Sequence, residues 1–140
     1  MVKITGSPHP HEDNEDRHAR EVASMYGLTP KVEAAIRYTI ENEQWNRLRM
    51  LMDPLHPADK ADFLERISSE DLRILVRRLG SYFDAEILPY LHEEVRESVR
   101  DLLDPDVFAA SLPELDSDDV VTIAEELAPE QLNKALAALP

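Results

Sequence analysis

Apolar residues recur along the chain at a period of twelve residues, in seven consecutive units that cover residues 56 to 139. Within a unit, positions 5, 8, 9 and 12 are mostly apolar, which is the stripe of an amphipathic helix. A period of twelve is too short for a pair of helices. The pattern therefore predicts one helix of about nine residues and a short turn in each unit. The units end on these residues: Ile67, Leu79, Leu91, Leu103, Leu115, Leu127 and Leu139.

Helix-start signals occupy the first four positions of most units. They comprise prolines, potential capping residues and first-turn acids, such as Pro57, Pro105, Pro129, Ser68, Asp104 and Asp116. Pro89 and Pro113 stand late in their units, so we expect those helices to be about one turn shorter. Because so short a helix is unstable alone, each must pack on its neighbours. The predicted fold is all-α, a superhelical stack (solenoid) of short helices.

The N-terminal part of the chain has a different pattern. Residues 1 to 28 are predicted to be a polar, largely disordered tail with a weak helical tendency from Arg17 to Tyr26, and residues 29 to 140 the helical domain. Thr29 and Pro30 resemble an N-cap followed by proline at the first helical position. Residues 30 to 52 are predicted to form either one longer helix or a helix pair broken near Asn42.

The charge of the chain narrows its possible partners. The net charge is −14, which argues against nucleic acid as a partner and fits divalent cations or a basic protein surface.

The sequence also excludes several kinds of site. There is no cysteine, so thiolate metal sites and thiol nucleophiles are excluded. No stretch reaches the roughly 18 apolar residues of a membrane span, so we expect no direct membrane insertion by these residues. Neither a nucleophile elbow nor a glycine-rich phosphate loop is present, and we predict no enzyme activity.

Four stretches, in this order and spacing, resemble the N-terminal cytoplasmic domain of MgtE-type magnesium transporters. They are LHPAD at 55–59, DAEIL at 84–88, LDPD at 103–106, and LDSDD with a following EEL at 115–127. The resemblance covers roughly residues 45 to 140. It implies a right-handed superhelix on the cytoplasmic side of the inner (plasma) membrane. It also implies as partners the CBS domains and membrane domain of the same transporter, with Mg²⁺ between the cytoplasmic domains shutting the pore.

The candidate metal ligands lie in an acidic part of the chain. Between residues 101 and 133 there are ten acidic residues and no Lys or Arg. Carboxylates at this density either bridge a hard cation such as Mg²⁺ or form a solvated helix-start face. The resemblance implies that Glu86 and Asp118 meet Mg²⁺ near the CBS interface, and Asp119 is adjacent. One turn after Asp118 the family pattern can offer another acid, whereas this chain has Thr122.

Two other functions, and the roles of the histidines, stay open at this point. The chain also resembles the middle part of the flagellar switch protein FliG, which would make it a helical-repeat adaptor without a metal role. It could also be a stand-alone magnesium buffer. His56 is either a metal ligand or a helix-entry residue beside Pro57, and the histidines of the first 18 residues either bind a transition metal loosely or belong to the polar tail.

Overall fold

The computed structural model describes residues 14 to 138, and these residues form helices and no strand. The chain divides into two compact units, residues 1 to 63 and residues 64 to 140. The predicted all-α class is therefore confirmed for the part of the chain that is described. None of the described helices is long and apolar enough to cross a membrane.

The first unit begins with α1 (Asn14–Tyr26), α2 (Pro30–Glu41) and α3 (Trp45–Met52), which pack against one another. Thr29 caps α2 as predicted, since its hydroxyl oxygen accepts a hydrogen bond from the N–H of Val32 at 3.2 Å. Apolar side chains from α2 and α3 form the core of this unit and include Val32, Ile36, Leu48 and Leu51.

Of the two alternatives predicted for residues 30 to 52, the structure has the helix pair and not a single longer helix. The break is made by Glu43, whose φ of 55° ends α2 in a left-handed conformation. The N–H of Gln44 donates to the carbonyl of Thr39 at 2.8 Å, and the N–H of Glu43 donates to that of Ile40 at 3.3 Å. These bonds satisfy the last carbonyls of α2, as in a Schellman motif.

Residues 14 to 26 differ from the tail expected at the N-terminus, because they form the continuous helix α1. Only Asp16 and Ala23 of this helix are buried. The Asp16 carboxylate accepts two hydrogen bonds from Arg47 of α3, which gives a polar helix a specific attachment. The first 13 residues of the expected tail lie outside the described part of the chain.

The next helix, α4 (Pro57–Arg66), spans the boundary between the two units. After it, the second unit contains α5 (Ser69–Leu79), α6 (Glu93–Leu102), α7 (Pro105–Ser111), α8 (Ser117–Ala124) and α9 (Pro129–Ala138). Each of these helices begins at the second position of a twelve-residue unit. The succession of short helices predicted from the period is confirmed.

The third twelve-residue unit contains no α-helix. It forms two 3₁₀ segments, Gly80–Tyr82 and Ala85–Tyr90, and Pro89 lies inside the second. Proline lacks the N–H that an α-helix needs and obstructs the preceding turn. Pro113 has a similar effect, because α7 ends at Ser111 and a 3₁₀ segment, Leu112–Glu114, follows.

Two of the three predicted polar caps in the second unit make the expected bond. Ser68 accepts from the N–H of Asp71 at 3.1 Å, and Asp104 accepts from the N–H of Asp106 at 2.9 Å. Asp116 occupies the N-cap position of α8 without a side-chain capping bond. The predicted apolar stripe of α5 is buried throughout: Leu72, Leu75, Val76 and Leu79.

Candidate functional site

The first turn of α8 carries two of the three predicted metal ligands, Asp118 and Asp119. Asp118 is exposed, and Asp119 is half-buried. The hydroxyl of Thr122 donates a hydrogen bond to the carbonyl of Asp118 at 3.1 Å. Thr122 is thus engaged with its own helix, and the turn presents carboxylates at the positive end of the α8 dipole.

The third predicted ligand, Glu86, lies in the 3₁₀ segment Ala85–Tyr90 and is also exposed. Its backbone N–H donates to the carboxylate of Asp84 at 3.0 Å, so Asp84 caps this segment. Glu86 therefore belongs to a separate element from Asp118 and Asp119. All three carboxylates can be reached from solvent, because none of them is enclosed in the core.

Asp118 and Asp119 are consecutive residues in the first turn of α8, so their side chains leave the helix in different directions. Among residues 14 to 138 there is no group of three or more acidic or histidine side chains arranged to hold a metal ion. Carboxylate oxygen is the ligand type that Mg²⁺ prefers, and this ion commonly takes one or two carboxylates and keeps several waters. The pair on α8 fits that kind of partial coordination and does not form a closed cage.

Some acidic residues between 101 and 133 are paired with cationic side chains. Asp106 of α7 lies 3.1 Å from the amino group of Lys134 on α9, and both side chains are exposed. Glu126, which follows α8, is bound by two arginines of α6 and is largely enclosed. The other eight acidic residues between 101 and 133 are Asp118, Asp119 and six exposed residues: Asp101, Asp104, Glu114, Asp116, Glu125 and Glu130.

Sequence reasoning did not identify the ion pair at Glu126. Arg96 donates from Nε to one carboxylate oxygen of Glu126 at 2.8 Å and from Nη2 to the other at 2.5 Å. Arg100 donates from Nη1 to the same carboxylate at 3.1 Å. The two arginines hold the pKa of Glu126 below its ordinary value, chiefly through the hydrogen bonds from Arg96.

A signal for this pair was present in the sequence. Arg96 and Arg100 occupy positions 5 and 9 of the fourth twelve-residue unit. Most other twelve-residue units have apolar residues of the buried stripe at these positions. A charged residue on a buried stripe requires a partner. The identity of that partner, 30 residues further along the chain from Arg96, follows only from the folded structure.

The histidine of the LHPAD stretch has a structural role. His56 precedes α4, and its Nδ1 atom accepts a hydrogen bond from the N–H of Ala58 at 3.0 Å. This geometry confirms the helix-entry interpretation of His56. Of the histidines near the N-terminus, His9 and His11 lie outside the described residues, and His18 is exposed on α1.

Comparisons with known proteins gave a family match and a match of fold. Residues 55–140 match the family model described as the MgtE intracellular N domain. A solved structure, described as the crystal structure of the soluble part of a magnesium transporter, shares the fold with a TM-score of 0.65 and 23% identity. The match covers 79% of this chain and 44% of that one, so this chain spans less than half of that protein's length. The comparison with curated proteins gave no match.

Proposed function

Because this chain belongs to the family of the MgtE intracellular N domain, we propose that it is the cytoplasmic regulatory domain of a magnesium transporter. It senses intracellular Mg²⁺ through acidic residues and helps to gate the pore by docking to neighbouring CBS domains. The family match over residues 55–140 is the observation that carries this proposal. It favours a role in transport over the adaptor and buffer alternatives.

The exposed carboxylates supply a physical mechanism for such a sensor. At low Mg²⁺, the acidic surface around α8 repels acidic neighbouring domains. When Mg²⁺ rises, ions at this surface neutralise the carboxylates, and the domains dock. The ion shifts the equilibrium between the open and docked arrangements because it binds the docked arrangement more tightly.

Asp118, Asp119 and Glu86 are the residues proposed to contact Mg²⁺. Asp118 and Asp119 are consecutive residues of one turn and can each supply a carboxylate to Mg²⁺, whereas Glu86 lies on another element and can serve a second ion. The remaining ligands would be water molecules and groups of the docked CBS domains. This incomplete set makes Mg²⁺ binding depend on docking, which is the property that a sensor requires.

The test is a Mg²⁺ titration of the membrane-embedded transporter that carries this domain, with protection of the domain from limited proteolysis as the measurement. We expect Asp118→Asn to raise the Mg²⁺ concentration at half-protection or to abolish protection. Glu70→Gln is the matched control, since Glu70 is also an exposed acid in the first turn of a helix, α5. An Asp118→Asn curve that coincides with the wild-type curve would contradict the proposal.

A second measurement separates the sensor from a stand-alone buffer. Calorimetry of the 140-residue chain with MgCl₂ should give only weak binding, because the ligands from the other domains are missing. Tight binding by the chain alone would favour the buffer and would remove the need for docking.

A further inference from the structure

Helix α8, which carries Asp118 and Asp119, is weakly held by apolar contacts. Ile123 is its one buried side chain and is 1% exposed, whereas Val121 is 58% exposed. An eight-residue helix has little stability of its own, so its orientation depends on its tertiary attachments. Val120 and Ala124 are half-buried, so these few apolar contacts leave the orientation of the helix poorly restrained.

The second attachment lies three residues after Ile123, at Glu126. Its carboxylate is held by both Arg96 and Arg100, and the exposed side-chain fractions of these three residues are 13%, 9% and 5%, respectively. Arginine and carboxylate in a bidentate arrangement fix each other in direction as well as in distance. The chain that leaves α8 is thereby tied to α6.

The guanidinium of Arg96 is itself fixed from the opposite side. Its Nη1 atom donates to the carbonyl of Leu88 at 3.1 Å and to that of Leu91 at 2.7 Å. Arg96 thus joins the end of the 3₁₀ segment Ala85–Tyr90, the helix α6 and Glu126, which is the second residue after α8. Separating the partners of an enclosed ion pair would leave an uncompensated charge. The paired arrangement of these side chains is therefore strongly favoured over other arrangements.

We propose that Arg96, Arg100 and Glu126 are positioning residues that fix the orientation of α8 and therefore the direction in which its first turn presents Asp118 and Asp119. This inference rests on the proposed function, because it makes the response to Mg²⁺ depend on three side chains that are not themselves the proposed Mg²⁺ ligands. These three side chains form the α6–α8 anchor. When the anchor is broken, α8 keeps Ile123 as its attachment but presents its carboxylates in more than one direction.

Amide hydrogen exchange of the 140-residue chain tests the anchor itself. We expect Glu126→Gln to speed exchange in α8 and in the turn that follows it, with exchange in α5 unchanged. Arg100→Met is a milder second variant, since it removes one hydrogen bond of 3.1 Å and leaves the Arg96 contacts in place. Wild-type exchange in α8 for both folded variants, or uniformly faster exchange across residues 64 to 138, would overturn the inference.

The Mg²⁺ titration of the transporter tests the positioning role. We expect Glu126→Gln to raise the Mg²⁺ concentration at half-protection by about threefold to tenfold and Arg100→Met to raise it less. Val76→Ala is the control for lost stability alone, because Val76 is fully buried on α5 and is not one of the three residues of the anchor. It should leave the half-protection concentration unchanged at a temperature where the variant is folded.

The outcomes distinguish this inference from the proposed function. If Asp118→Asn shifts the titration and Glu126→Gln does not, the positioning role is wrong while the sensor function stands. If Val76→Ala shifts the titration as much as Glu126→Gln, the anchor acts only through stability, and the inference is overturned. If the wild-type transporter shows no protection by Mg²⁺, the proposed function fails, and the positioning role fails with it.

Discussion

Arg47 of α3 binds the carboxylate of Asp16 on α1 through two hydrogen bonds, from Nε at 2.8 Å and from Nη2 at 2.7 Å. Asp16 is 3% exposed, although it stands in a polar helix with few other buried residues. Arg47 also donates to the side-chain oxygen of Gln44, the residue that precedes α3. The pair therefore attaches α1 to α3 within the first unit.

Asp16→Ala should reduce the stability of the first unit. The substitution leaves Arg47 without its bidentate partner, but Arg47 is partly exposed and can be rehydrated. We therefore expect a loss of about 2 to 3 kcal/mol in the free energy of unfolding, below the value for a fully buried pair. Urea denaturation followed by circular dichroism measures this loss. Glu15→Ala, at the exposed neighbouring position, should change the free energy by about 0.5 kcal/mol or less.

Two N-cap residues offer a matched comparison in the second unit. Ser68→Ala should cost about 1 kcal/mol, because the hydroxyl of Ser68 accepts the N–H of Asp71. Asp116→Ala should cost about 0.5 kcal/mol or less, because Asp116 makes no side-chain capping bond. Urea midpoints of the two variants provide the measurement. Equal losses would show that the cap position matters more than the capping bond.

Gly80→Ala tests the turn at the end of α5. Gly80 has φ of 51° and ψ of −123°, a backbone conformation that residues with a β-carbon rarely adopt. An added Cβ would meet no atom of another part of the chain within 4 Å. The cost of the substitution therefore comes from the backbone conformation and not from a clash with neighbouring side chains. We expect a loss of about 1 to 3 kcal/mol in thermal or urea denaturation. Ser81→Ala, at the exposed next position, is the control and should behave like the wild type.

The ion pair of Glu126 predicts a specific dependence of stability on pH. Hydrogen bonds from Arg96 lower the pKa of Glu126 in the folded chain below its ordinary value of 4.5. The pair therefore contributes stability that is fully present above about pH 4.5 and is lost as the pH falls through the folded-state pKa. The difference in unfolding free energy between wild type and Glu126→Gln should shrink over that acidic range. A difference that stays constant from pH 7 to the acid limit would contradict the assignment.

The twelve-residue period predicted the helices of the second unit because their start and stop signals are local. Proline stands at the first residue of α7 and of α9, where its missing N–H leaves no bond unmade. The same local chemistry predicted the short α7. It also predicted a shortened helix before Pro89, where the structure goes further and replaces the α-helix with 3₁₀ segments.

The parts that sequence reasoning missed depend on contacts between distant residues. A run of charges around Asp16 reads as a polar tail unless Arg47, 31 residues away, is known to lie beside it. Glu126 reads as one more acid of a negative surface until Arg96 and Arg100 are placed against it. The exposed positions of Glu86, Asp118 and Asp119 agree with a role at the surface, while their Mg²⁺ binding stays a prediction.

The guanidinium of Arg96 completes a segment in which Pro89 prevents α-helix formation. The carbonyl of Leu91 and that of Leu88, which also accepts the N–H of Leu91 at 3.2 Å, receive hydrogen bonds from a side chain of the next repeat. The irregular repeat and its successor are consequently interdependent. An α-helix continued through this segment and beyond it would place its own N–H groups on the oxygens that Arg96 now binds, so an engineered regular version of this chain must change Pro89 and Arg96 together.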